Sequence, residues 1–275
     1  MRFFFVLVCV LFAQFSYSQY YYNDIIVLNQ TNSQYQTLKA NRIALVNAKS
    51  FEGSGEPVDN FVLQQQLLKN WAEVITTSTD PATSSSTVSD ADYENGRIKQ
   101  SVDTGGRVAS TVLYNYDASG NINTITSITS DTFMASNSQE VHQWFYNGNS
   151  PVRMLRIKDN IDTTVIDFVK DEQGNIAEEH LKKKGRNIET YFYYYNAAHL
   201  LTDIVRYNYR AKKMLPDFLF DYDKDGKLTQ LTQILQNTGA TLTWYYEYNA
   251  NGLKQTETGY DKDRQVVGKI VYSYN

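Results

Sequence analysis

Cysteine and proline are scarce in this chain of 275 residues, which has one cysteine, Cys9, and four prolines. A single cysteine cannot form an intrachain disulfide, and it cannot supply the several thiolates of a cysteine-based metal site. Charged residues are also few, at 20 %, and the formal net charge of −4 shows no basic excess. This balance argues against a general nucleic-acid-binding protein. The hydrophobic fraction of 42 % is enough for a packed core and excludes wholesale disorder.

The first 18 residues have the pattern of an export signal. Arg2 precedes an unbroken apolar run over 3–12, and Ser16 and Ser18 are the small residues that a cleavage site before Gln19 requires. The run is too short for a membrane-spanning helix, which needs about 20 apolar residues. Cys9 lies inside the run without small residues before it, which disfavours a lipoprotein. We expect a signal peptide at 1–18 and an exported protein without a thiol nucleophile, located in the periplasm, at the cell surface or outside the cell.

An internal repeat covers most of the chain. Its motif is a tyrosine, then Asp or Asn, two variable residues, a glycine, one further residue and an apolar residue, as in 116–122 and 222–228. The anchor positions recur about 26 residues apart, at Tyr93, Tyr116, Tyr146, Lys170, Tyr195, Tyr222, Tyr248 and Tyr274. Most anchors follow another large side chain by two residues, namely Tyr114, Trp144, Phe168, Tyr193, Phe220, Tyr246 and Tyr272. So regular a spacing indicates a repeated structural unit.

Each unit is predicted to be a β-hairpin. A spacing of two places the anchor and the preceding large side chain on one face of a strand. Asp or Asn accepts hydrogen bonds from turn amides, and glycine tolerates the positive φ of a turn. Polar tips half a unit later predict second turns at 184–187, 210–213, 237–239 and 261–264. The sequence therefore predicts an all-β antiparallel hairpin meander of about 16 strands, curled into an open spiral or a barrel-like sheet because wide flat sheets are rare.

The segment 19–90 is less regular, and we assign it to the same sheet as an N-terminal β-rich segment. Strands are predicted at 43–51 and 58–68, although helix is the alternative over 63–75, where apolar residues also have helical spacing. A cluster of Thr and Ser predicts a polar loop over 76–92. The three predicted regions are the signal peptide 1–18, the β-rich segment 19–90 and the hairpin repeats 91–275.

The units at 116–122 and 222–228 resemble the YD repeats of RHS-type proteins. The looser units at 93–96 and 146–148 are similar to the MORN-like repeats of some exported bacterial antitoxin-like proteins. The resemblance implies a β-rich repeat scaffold and a role in carbohydrate or protein binding, and it implies no catalytic residues. The unit here is longer than that of large RHS proteins, and because the sequence ends on a repeat we do not expect a toxin-encapsulating role.

Three aspartates match the opening of a calcium-binding loop. Asp221, Asp223 and Asp225 have the spacing of the first ligands, but position twelve, where such a loop needs a bidentate Glu, is Thr232. An ordinary hairpin turn explains the same residues. We therefore predict no metal ion and no cofactor from this motif.

Histidines and paired carboxylates give no catalytic pattern. His142, His180 and His199 lie in different units, which favours surface or turn positions over convergent metal ligands. Glu178 and Glu179 are adjacent on a predicted strand and point to opposite faces, so they cannot act together as a glycosidase pair. We therefore expect a protein that is not an enzyme.

Two sets of side chains are candidates for ligand binding. Aromatic rings could stack on sugars or could instead fill the inner face of the sheet, and the candidates are Trp144, Trp244 and Tyr246. A basic rim could bind an acidic glycan or could instead keep a hairpin tip soluble, and its residues are Lys182, Lys183, Lys184 and Arg186.

We therefore expect an exported, non-catalytic β-repeat scaffold that binds a cell-surface glycan or a protein partner. The alternatives are a glycan-active enzyme, an immunity or antitoxin-like partner protein, and an outer-membrane β-barrel. Strand number and aromatic content fit the barrel. Against it, charged residues at 178–180 stand in the middle of a strand and the turns look short, so we expect a chain that does not span a membrane. No nucleic-acid partner is expected, and the pattern does not address the oligomeric state.

Overall fold

The computed structural model describes residues 20–131, 133, 135–236 and 238–275, so the predicted signal peptide lies outside the described residues. Within them, one α-helix, α1 (Asn23–Ala40), precedes eighteen β-strands. The strands are β1 (Leu45–Glu52), β2 (Val62–Leu68), β3 (Glu73–Asp80), β4 (Ser85–Glu94), β5 (Arg97–Gly105), β6 (Val108–Tyr116), β7 (Ile122–Asp131), β8 (Ser136–Asn147), β9 (Ser150–Lys158), β10 (Asp162–Lys170), β11 (Ile176–Lys183), β12 (Arg186–Tyr195), β13 (Leu201–Asn208), β14 (Lys213–Tyr222), β15 (Leu228–Leu235), β16 (Ala240–Tyr248), β17 (Lys254–Asp261) and β18 (Val266–Tyr274).

The strands form one closed barrel. Each strand pairs antiparallel with the next one along the chain, and β18 pairs with β1, from Tyr274 opposite Val46 to Gly268 opposite Glu52. Closure removes the free edges at which an open sheet would pair with other chains. The predicted all-β antiparallel meander is confirmed. The open spiral is wrong, because the first and last strands meet.

The motif turns are held by the aspartate that the repeat supplies. Asp223 Oδ1 accepts hydrogen bonds from the backbone N–H groups of Asp225 and Lys227, both at 2.9 Å, and Gly226 has a φ of 79°. His199 stands in place of the glycine in its own unit and adopts a φ of 58°, a conformation that glycine reaches more easily. The motif turns and the turn between β2 and β3 lie at one end of the barrel, called the repeat end. The other set of turns, which the polar tips predict, forms the distal end.

Five of the anchor tyrosines tie their units to the unit before them. Tyr222 Oη donates to the carbonyl of Leu201 at 2.8 Å, and Tyr248 Oη donates to the carbonyl of Leu228 at 2.9 Å. The same bond, reaching 18 to 20 residues back, is made by Tyr116, Tyr195 and Tyr274. The register shifts at these bulged positions, which brings the apolar residue after the turn onto the inner face.

An aromatic core fills the lumen near the repeat end, together with α1. The rings of Trp144 and Phe168 stack at 5.3 Å between centroids. On the helix, Tyr35 stacks on Tyr93 of β4 at 3.8 Å, and Asn32 Oδ1 accepts a hydrogen bond from the backbone N–H of Ile98 at 2.9 Å. Helix residues therefore pack against the inner wall, and the lumen is occupied at this end.

Two parts of segment 19–90 differ from the prediction. The expected polar loop at 76–92 is wrong, because β3 and β4 cover most of it with a short turn at 81–84. Thr and Ser suit strands here, since Thr76 and Ser89 face each other on the inner wall. The helix alternative for 63–75 is also excluded, since β2 and β3 occupy that range. The sequence does not predict α1, whose buried residues Leu28, Tyr35 and Leu38 form no continuous apolar stripe.

Candidate functional site

A buried carboxylate fixes the segment before α1 inside the lumen. Glu179 on β11 has 0 % of its surface exposed. Its carboxylate accepts hydrogen bonds from the backbone N–H of Tyr21 at 2.7 Å, from the backbone N–H of Tyr22 at 2.9 Å and from Tyr193 Oη at 2.6 Å. Three donors on one carboxylate offset part of the cost of its burial. The segment therefore stays attached to the barrel wall.

A second polar network joins α1 to β8 and β9. His142 Nδ1 lies 2.6 Å from Asp24 of the helix, and His142 Nε2 lies 2.9 Å from Glu140. Arg156 donates to the other oxygen of Glu140 at 2.6 Å. His142 is only 8 % exposed, so its predicted surface position is wrong. Its spacing of two from Trp144 is the sequence signal that places it on the inner face.

The predicted aromatic platform belongs to the inner wall. The exposed fractions of Trp144, Trp244 and Tyr246 are 2, 5 and 8 %. These rings pack among other inner-wall side chains and present no outer surface. A ligand could reach them only from inside the lumen.

The predicted basic rim is divided between the two faces of the sheet. Lys182 points outward and donates to Asp167 at 2.8 Å, whereas Lys183 points into the lumen and donates to Asp162 at 2.8 Å. Lys184 lies in the turn, and Arg186 stands opposite Lys183 in the register. The structure does not bring the four cations to one surface.

The aspartates of the calcium-like motif behave as turn residues. The carboxylate of Asp223 is engaged by two backbone N–H groups of its own turn. Over the described residues, one group of three carboxylates places ligand atoms within 4.8 Å of one another, and it lies elsewhere, on the outer wall near the repeat end, at Glu73, Asp90 and Asp92.

The distal half of the lumen is lined by charged side chains. Its inner wall carries ion pairs between Lys183 and Asp162 at 2.8 Å and between Arg206 and Asp217 at 2.7 Å. The Lys183 side chain is 43 % exposed, so solvent reaches this part of the lumen. The interior therefore has a packed half that α1 closes and a polar half toward the distal end.

No family model matches the chain, and no curated protein matches it. Among solved structures it is similar to a porin-like protein from Bacteroides uniformis, with 9 % identity over 85 % of this chain and 96 % of that one and a TM-score of 0.38. A porin-like protein from Bacteroides vulgatus matches with 11 % identity over 85 and 98 % of the two chains, at a TM-score of 0.28. The Photorhabdus luminescens Tc holotoxin pore matches with 9 % identity over 86 and 17 %, at 0.31.

The expectation that the chain does not span a membrane is corrected by the closed barrel. A closed barrel pairs every strand edge, which is the condition for strands to cross a membrane. The charged residues at 178–180, from which we expected a chain that does not span a membrane, also have polar partners. Glu179 is held by three donors in the lumen, and Glu178 lies 2.7 Å from His180 on the outer wall.

Among the helices that the described residues form, none combines the length and the apolar character of a membrane span.

Proposed function

We propose that the chain is a membrane-embedded β-barrel of the outer envelope whose lumen is closed by its own N-terminal helix. The observation that carries the proposal is the seam between β1 and β18, which is paired continuously from Val46–Tyr274 to Glu52–Gly268. In hydrocarbon each backbone N–H and C=O needs an internal partner, and a closed barrel supplies one. Eighteen strands lie within the even-numbered range of outer-membrane barrels, and the expected signal peptide provides the route of export.

The lumen of the proposed barrel is plugged rather than open, and we call α1 together with the aromatic core the stopper. Barrels of about this strand number enclose an aqueous channel unless something fills them. Here α1 and the aromatic core occupy the repeat half, and Glu179 and His142 bind the helix segment to the wall. A polar solute that enters the distal half would meet this stopper. The role we propose is therefore gated passage or retention of a polar solute, without a catalytic step.

The first experiment follows the chain in a Gram-negative host. Membranes are washed with carbonate and then with urea, and the retained protein is run on SDS gels with and without boiling. We expect the protein to stay in the outer-membrane fraction and the unboiled band to migrate differently, because a closed barrel resists detergent. Recovery in the soluble periplasmic extract would contradict the proposal.

The matched control is Ala48→Pro on β1, which pairs with Tyr272 on one side and with Leu63 on the other. Proline removes a ladder hydrogen bond at the seam, so this variant should lose the mobility difference. A planar bilayer then tests the stopper separately. The unmodified protein should show no steady ion conductance, and a constant open level would refute the stopper while leaving the barrel.

A further inference from the structure

The outer wall of the barrel changes its charge between the two ends. Outward positions alternate along each strand with the buried inner-wall residues. On the described strands, every outward carboxylate is five or more residues from the distal end of its strand: Glu73, Asp90, Asp92, Glu94, Asp167, Glu178, Asp203, Asp221 and Glu247. Within four residues of the distal ends, the outward charged residues of the described strands are Lys49, Lys182 and Lys269.

Near the distal ends, the other outward positions carry apolar residues and uncharged polar residues such as Ser86, Ser130 and Gln139. We call the larger apolar side chains among them the distal band, and its members are Phe51, Val62, Val88, Val102, Ile128, Leu155, Ile157, Val165, Val205, Tyr207, Met214, Pro216, Ile234, Tyr260 and Val266. Val62, Val88 and Tyr207 are 41, 38 and 39 % exposed. The band takes residues from strands all around the barrel. A single globular partner could not contact them together.

The inner wall is polar in the half of the barrel where the outer wall is apolar, and it is aromatic in the half where the outer wall carries carboxylates. In the distal half, charged residues such as Arg156, Asp162 and Lys183 face the lumen while the distal band faces outward. Apolar outside and polar inside is the arrangement of a barrel in lipid. In the repeat half, aromatic rings such as Trp144 face inward and carboxylates such as Glu178 face outward, which is the arrangement of a protein surface in water.

A lipid surface fits the distal band better than any other occupant. A flat lipid layer perpendicular to the barrel axis surrounds the barrel, so it can contact outward side chains on all of the strands at once. Lys49 and Lys269 each lie three residues from the distal end of their strands, where they complement anionic headgroups. On the distal turns, Phe133, Ile161 and Tyr209 are 73, 87 and 74 % exposed, and aromatic side chains are favoured at membrane interfaces. The distal turns also carry charges of both signs, which lie beyond the band.

We propose that lipid contacts the distal band and that the outer wall of the repeat half stands in water. This inference rests on the proposed membrane-embedded barrel and adds which end of it the lipid covers. Burial of the outward carboxylates in hydrocarbon would be unfavourable, and this arrangement avoids it.

Single-cysteine variants carrying an environment-sensitive nitrobenzoxadiazole dye test the arrangement. The distal positions are Ile128→Cys and Ile234→Cys, and the matched controls Thr124→Cys and Gln230→Cys lie four residues away on the same strands and the same face. Every variant also carries Cys9→Ser. The probe is a vesicle of phosphatidylcholine and phosphatidylglycerol in equal amounts, and circular dichroism checks that each variant folds.

We expect vesicles to shift the dye emission to the blue and to raise its intensity severalfold at 128 and 234, with no change at 124 and 230. Equal changes at all four positions would refute this arrangement while leaving the membrane-embedded barrel intact. No change at any position would refute both. As a second readout, Ile234→Asp should weaken vesicle binding about tenfold and Gln230→Asp should not, because a carboxylate is unfavourable only where lipid covers it.

Discussion

Replacement of Glu179 by alanine should release the segment before α1 from the barrel wall. In the native protein the carboxylate accepts hydrogen bonds from the Tyr21 and Tyr22 amides and from the Tyr193 hydroxyl, at 2.6 to 2.9 Å. Glu179→Ala removes all three acceptor contacts at once. The three donors then lose their acceptor at a position that water does not reach, because the Glu179 side chain is fully buried in the native protein.

The magnitude follows from the number of donors that lose their acceptor. A buried donor without a partner costs about 1–3 kcal/mol. Three such donors give roughly 3–9 kcal/mol, and local relaxation lowers the measured value toward the smaller figure. Glu179→Gln keeps one acceptor oxygen and places an amide NH2 near the donors. It should therefore lower the free energy of unfolding by less than Glu179→Ala does.

The neighbouring residue Glu178 provides the matched control. Its side chain is 37 % exposed on the outer wall and pairs with His180, so Glu178→Ala should cost no more than about 1 kcal/mol. Guanidinium unfolding in detergent, followed by tryptophan fluorescence, measures both variants. Hydrogen exchange at the Tyr21 and Tyr22 amides should accelerate only in Glu179→Ala. Equal stabilities and equal exchange in the two variants would refute the assigned role of Glu179.

Three smaller perturbations test the repeat itself. Tyr222→Phe removes the bond to the Leu201 carbonyl and should lower the free energy of unfolding by about 1 kcal/mol; an unchanged guanidinium midpoint would show that this bond contributes nothing. Gly174→Ala adds a Cβ that meets no atom within 4 Å, so its cost of about 1 kcal/mol should come from the φ of 91° alone; a far larger loss would indicate a clash. The Asn175 amide and the turn N–H groups lower the pKa of Asp171, so its stabilising effect is present above about pH 4 and lost as the pH falls. Asp171→Asn should therefore flatten the pH dependence of unfolding between about pH 5 and 3, and an unaltered slope would contradict this.

The repeat was predictable because its determinants are local. Asp223 and Gly226 act within one turn, and period two places Phe220 and Tyr222 on one inner face. The same local rule places Glu178 and Glu179 on opposite faces, as the structure shows. These inferences need only a few consecutive residues.

Closure of the barrel and the position of α1 depend on contacts between distant residues. Val46 meets Tyr274 only if the strand stagger summed over the whole ring brings them together, and no single repeat encodes that sum. The helix binds through single contacts, such as Asn32 to the Ile98 amide and Asp24 to His142, rather than through an apolar stripe. The sequence does not predict the candidate site for this reason: spacing of two places His142 on the inner face, but no local pattern pairs it with Asp24 or pairs Glu179 with the Tyr21 and Tyr22 amides.

The seam between β1 and β18 also sets an order of events in folding. Every other strand pairing joins neighbours in the chain, whereas Val46 and Tyr274 are more than 200 residues apart. Loop-closure entropy makes this pairing about 3 kcal/mol less favourable than a five-residue hairpin. The hairpins can therefore form early and in any order, whereas the pairing of β1 with β18 can form only after the last strand is in place. Because α1 leads directly into β1, docking of the helix and closure of the ring involve the same part of the chain. A slow final phase, common to the helix and to both seam strands, is the kinetic signature of such a mechanism.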